Sequence, residues 1–167
     1  MANARVGLGV ALLWLMAASG HAQTYDIVAQ PTLDQSLNLA QAALKACQAK
    51  GYDASVAVVD SAGRVKVVLR ADKAAKPPVA APLKAAAAAH YDLPGSVMEP
   101  RTQSDAAFAA ELDAHKDIYN PHAGSLPLHQ DGQLIGGLAV ADVPHEVADA
   151  CAREGLAAAG GGLTTPQ

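Results

Sequence analysis

Hydrophobic positions along the chain fall into two blocks of short-period alternation set among stretches of helical spacing. Ser55 to Arg70 (SVAVVDSAGRVKVVLR) places two β-branched runs on either side of Asp60-Ser61-Ala62-Gly63, which predicts a hairpin. In its second run Val65, Val67 and Leu69 alternate with Arg64, Lys66, Val68 and Arg70, so one face is apolar and expected to meet a core, and the other is mixed. Leu126 to Val140 (LPLHQDGQLIGGLAV) predicts a second hairpin about an Asp131-Gly132 turn. Pro127 puts its strand at an edge or at the strand's start, and Gly136-Gly137 leaves a bare patch that another backbone or a ligand can approach.

Thr32 and Gln35 form a T-x-x-Q box opening a helix over about 33–50, with Leu33, Leu37, Leu44 and Cys47 at helical intervals and Gly51 as the stop. Ala71 to Val79, with its Pro77-Pro78 pair, reads as a loop. Ala80 to Tyr91 (AAPLKAAAAAHY) reads as an alanine-rich helix narrow enough to lie close to a sheet or to leave room for something flat. Asp92 to Gly95 breaks it, and Ser104 is expected to cap a third helix running to about His115. Asp142 is a candidate cap for a last helix over Pro144 to Ala159, with residues 160–167 as a disordered tail. The order helix, hairpin, two helices, hairpin, helix favours an α+β domain with a mainly antiparallel sheet.

A chain of 167 residues, 51% of them hydrophobic, fits one domain, expected over 23–159. The net charge of -4 is spread out, and no basic cluster is interleaved with aromatics, so a nucleic-acid partner is set aside. Arg5, the apolar run Val6 to Ala18 and the small residues around Gly20-His21-Ala22 read as a signal peptide over 1–22, cleaved after Ala22. That predicts an exported protein, in a bacterial periplasm or secreted, with no membrane association once the signal is removed. In such a compartment Cys47 and Cys151 could pair; a small apolar packing role is the alternative.

Catalytic signatures are missing: there is no G-x-S-x-G and no H-E-x-x-H, and the glycines of Gly132 to Gly137 do not make a phosphate loop. The histidines of the mature chain are His90, His115, His122, His129 and His145. They are irregularly spaced, and His90 and His122 stand out as candidate metal ligands.

SVAVVDSAGRVKVVLRADKA, LKAAAAAHYDLP, AGSLPLHQDGQLIGGLAVAD and DACAREGL, in that order, resemble the haem-binding HbpS/GlcG-type family, which is related to the C-terminal domain of PduO proteins. The resemblance runs from about Thr32 to about Leu156. It implies an α/β, profilin-like layered domain, a central antiparallel sheet flanked by helices, assembly into symmetric homo-oligomers, and haem or a related tetrapyrrole as cofactor. The chain departs from the family at Lys84-Ala85-Ala86-Ala87-Ala88, where a threonine and an aromatic are usual, at Gly124-Ser125-Leu126-Pro127, and at Ala139 to Asp142.

Haem calls for a flat apolar slot, an iron ligand and partners for its propionates. Ala85 to Ala89 is a candidate slot, with simple packing on the sheet as the alternative. His90 is the candidate ligand, and Arg70, Lys84 and Arg101 are candidate propionate partners. The leading reading is an exported, oligomeric haem or tetrapyrrole binder that senses, stores or buffers its ligand without strong catalysis. The alternatives are an accessory protein or enzyme holding a small organic acid such as glycolate on Arg70 and Lys84, and a purely structural interaction module. The junction between Arg70 and the Lys84 helix is the expected place for a ligand.

Overall fold

A computed structural model describes residues 28–166; the expected signal segment lies outside them. The elements are α1 (Leu33–Ala49), β1 (Ser55–Asp60), β2 (Val65–Arg70), α2 (Ala80–Tyr91), α3 (Gly95–Ser104), α4 (Ala106–Ala114), β3 (Ser125–Gln130), β4 (Gln133–Ala141), α5 (His145–Ala159) and β5 (Leu163–Thr164). The Thr32 hydroxyl accepts from the Gln35 N–H and the Gln35 side chain accepts from the Thr32 N–H, so the reciprocal cap is formed. At the first hairpin turn the buried Asp60 carboxylate accepts from the N–H groups of Ala62 and Arg64, each at 2.9 Å, and Gly63 takes the positive φ that closes it. Asp131 and Gly132 both have positive φ, the conformation an Asp-Gly hairpin turn requires.

The two hairpins join through β1 and β4 into one antiparallel sheet, ordered β2-β1-β4-β3-β5. On one face Val56, Val58, Leu126, Leu128, Leu138 and Val140 pack against Leu39, Ala43, Ala148 and Ala152 of α1 and α5. On the other, Ala57, Val59 and Ala139 meet Ala81, Ala85 and Ala89 of α2. A further cluster seats Ala87 and Ala88 against Met98 of α3 and Phe108 and Leu112 of α4. The central strands β1 and β4 are therefore covered on both faces, while β2 presents Val67 and Leu69 to the core on one face. The alanine helix supplies the second cover.

Cys47 and Cys151 are joined by a disulfide that ties α1 to α5, their Cα atoms 5.2 Å apart. One turn away on each helix, Gly155 lies so close to the backbone of Ala43 that a Cβ there would collide with it.

Four expectations are corrected. α3 was not foreseen, because Pro94-Gly95 reads as a breaker; here Pro94 caps the helix from outside. Asp105 rather than Ser104 caps α4, its carboxylate accepting from the Phe108 N–H at 3.0 Å. Asp142 does not cap α5: it sits in the left-handed region at φ 70°, turning the chain out of β4, and Pro144 holds the cap position. Within the segment expected as a disordered tail, Leu163–Thr164 form β5, pairing with His129 and Gln130 of β3.

Gly137 is the point of closest approach between layers: a Cβ there would strike the carbonyl oxygen of Ala85. Gly137→Ala therefore forces α2 off the sheet and is expected to cost about 3 kcal/mol, the upper range of overpacking effects, read as a lowered urea midpoint.

Candidate functional site

Gly95 has no side chain, and a Cβ at that position would overlap the carbonyl of His122. The start of α3 thus docks directly on the 120–125 segment. Glu99, one turn on and on the same face of the helix, is aimed at that segment as well. The loop is held in place from three sides. Asn120 donates its N–H to Leu83 of α2, and its Oδ1 accepts from the His122 N–H at 3.1 Å. Gly124, at φ 103°, sits where a Cβ would meet Ala148 of α5. His145 enters as the first residue of α5, placed by Pro144.

These elements bring Glu99, His122 and His145 together. The Nδ1 atoms of His122 and His145 lie 3.0 and 2.7 Å from Oε1 of Glu99, and Oε2 accepts from the Ala123 N–H at 2.9 Å. The two imidazole rings stand 4.8 Å apart. Burial opposes charge on Glu99, but the Ala123 N–H and the two imidazoles outweigh it and hold the carboxyl below the ordinary glutamate range. Both histidine side chains are 49% exposed, so the cluster opens to solvent.

Behind it, His122 and His145 share a cavity of about 310 Å³ with Lys76, Lys84, Asp142 and Pro144. Lys84 is 3% exposed, and its Nζ donates to the Val140 carbonyl at 2.9 Å. Burial pushes its pKa down to about 8, against the pull of Glu99, Asp142 and Asp149. The ammonium has three donors, and Val140 is its one hydrogen-bond acceptor among the described residues. The others can serve an anion in the cavity.

The candidate residues are dispersed. Lys84 and His122 share the cavity. Arg70 does not enter it: its guanidinium donates to the carbonyls of Ala74 and Lys76 and so fixes the loop that carries Lys76 to the wall. Arg101 stacks 4.2 Å over the Phe108 ring and pairs with Asp105 at 3.0 Å, which turns it toward α4. His90 is exposed and stacks on Tyr119 with centroids 4.6 Å apart, six residues along α2 from Lys84 and on another side of the helix. The expected slot is also filled: Ala85, Ala87, Ala88 and Ala89 are almost fully buried against the sheet, α3 and α4. Sequence reasoning missed Glu99 and gave His145 little weight, because their partners lie 23 and 46 residues away and only the docking of α3 unites them.

A layered sheet domain with imidazoles, a carboxylate and a buried ammonium converging on one groove makes that groove a candidate site for a small polar ligand. Comparison with known proteins narrows the class. The sequence profile described as "Haem degrading protein HbpS-like" matches residues 32–157, and the chain belongs to that HbpS-like family. Among solved structures it is similar to a double mutant of Streptomyces reticuli HbpS, at 29% identity and a TM-score of 0.68 over 88% of this chain and 97% of that one. A PduOC:haem complex shares the fold at 24% identity and a TM-score of 0.74, covering 83% of this chain and 99% of that one. Klebsiella pneumoniae ORFY shares it at 19% identity and a TM-score of 0.70, covering 82% and 94%. No curated protein matches the chain.

Proposed function

We propose that this is an exported haem-binding protein that holds its ligand in the groove between α2, the loop before β3 and the start of α5. The observation that carries the reading is the convergence of His122 and His145 beside the buried ammonium of Lys84, in a chain of the HbpS-like family. The residues fit the group: either imidazole suits haem iron, and Lys84 and Lys76 suit propionates. Bound haem would supply an iron centre; the chain's own part would be to ligate it through an imidazole and to neutralise its carboxylates beside the cavity of about 310 Å³. The likeness to the PduOC:haem complex supports the same ligand.

Export is part of this reading, supported by the apolar Val6 to Ala18 run and by a disulfide that an oxidising compartment sustains. So is assembly into a homo-oligomer, supported by the exposed Val65, Val79 and Ile118. No helix among the described residues is long and apolar enough to cross a membrane.

Titration with haemin is expected to give a shifted Soret band saturating at one equivalent per chain and persisting when ascorbate is added in air. Joint replacement of His122 and His145 by alanine should abolish the shift, and His90→Ala should leave it intact. An unshifted spectrum, or a shift lost with His90 instead, overturns the site. A second reading, a small carboxylic acid held by Lys84 alone, is favoured by the spare donors of that ammonium, and it predicts acetate-type protection with no Soret change.

A further inference from the structure

We propose that, in the haem-free protein, Glu99, His122 and His145 form a binding site for a divalent first-row transition cation. One donor atom from each of the three lies within 4.8 Å of the others, and they come from three separate segments: α3, the loop before β3, and the first turn of α5. Two imidazoles and one carboxylate are the ligand set of open zinc and non-haem iron sites, which leave positions for water or substrate.

The present contacts already have nearly the spacing such a cation requires. A tetrahedral ion with ligands at about 2.0–2.1 Å separates them by roughly 3.3 Å. The Nδ1 atoms stand 3.0 and 2.7 Å from Oε1 of Glu99, so these two pairs open by a few tenths of an ångström to admit the ion, while the two imidazole donors, within 4.8 Å of each other, turn toward it. On binding, each ring takes the tautomer with its proton on Nε2 and turns the Nδ1 lone pair to the metal.

The supporting shell is in place as well. Oε2 of Glu99 is fixed by the Ala123 N–H, and the His122 backbone is fixed by Asn120, the type of outer contact that orients metal ligands. The open side of the cluster faces the groove containing Lys84, which favours an anion as the remaining ligand. A haem bound through either imidazole and a free cation bound through both are mutually exclusive, yet each is measured without the other.

The test is equilibrium dialysis of the haem-free protein against Zn²⁺, with Co²⁺ as a spectroscopic substitute. One ion per chain is expected. Glu99→Gln, His122→Ala and His145→Ala should each weaken binding by more than the 10–100-fold typical of losing an outer-shell partner, with His90→Ala unchanged. Co²⁺ added to the unmutated protein should paramagnetically shift the imidazole resonances of His122 and His145, a readout that needs no variant to fold. Absence of stoichiometric uptake, an affinity unchanged from the parent in the Glu99 or His145 variant, or shifts confined to other histidines would each overturn the site. A haemin titration that succeeds or fails leaves these outcomes unaffected.

Discussion

Replacing Cys47 and Cys151 together by alanine is expected to lower folding stability by about 4 kcal/mol. The two residues are 104 apart in sequence, and closing a loop of that length removes more freedom from the unfolded chain than any short bridge would. Both cysteines are fully buried, so the alanines also leave small voids between α1 and α5. Urea unfolding of the variant beside the parent should show a lower midpoint. The slope should rise as the unfolded state, freed of its cross-link, exposes more surface. Reduction of the parent in urea should also lower its midpoint, by less than the double replacement does because the thiols still fill the space; a reductant-insensitive transition would mean the cysteines do not bridge in solution.

The second large effect concerns pH and Lys84. Its folded pKa, about 8, lies below the ordinary lysine value of 10.5 because burial penalises the ammonium. Between these two pH values the unfolded chain binds a proton that the folded chain does not. Stability therefore rises as pH increases from 8 to 10.5, and the penalty is fully present below 8. The full rise is on the order of 3 kcal/mol. Lys84→Met should flatten this segment of the stability-pH curve while the titration of surface groups remains. It should also weaken ligand binding, since the groove loses its buried cation. A curve of unchanged slope in the variant would assign the titration to another group.

Much of the fold was legible because its signals are local. The Thr32-Gln35 cap, both hairpin turns and the bounds of α2 follow from residues within a few positions of one another. The helix α3 was not legible, since Pro94-Gly95 marks a break in isolation and becomes a helix start only once Gly95 seats against His122. The residue types of the candidate site were partly legible, and their grouping was not. Lys84 and His122 were singled out as separate candidates, yet His90 and Arg101 belong to an aromatic surface shared with Tyr119 and Phe108. Arg70 reaches the groove only through the loop it clamps. The alanine run illustrates the same limit: small side chains permit either a slot or a tight seat, and the bare Gly137 opposite Ala85 decides for the seat.

The bridge between α1 and α5 also alters the connectivity of the molecule. Everything from Cys47 to Cys151 becomes a covalent ring, leaving the first turns of α1, the end of α5 and β5 as tails. Lys84, Glu99, His122 and His145 all lie on that ring. A single break in the exposed 71–79 loop would leave Lys84 and the three groove ligands on a chain still joined to β1 and β2 through the sulfur atoms.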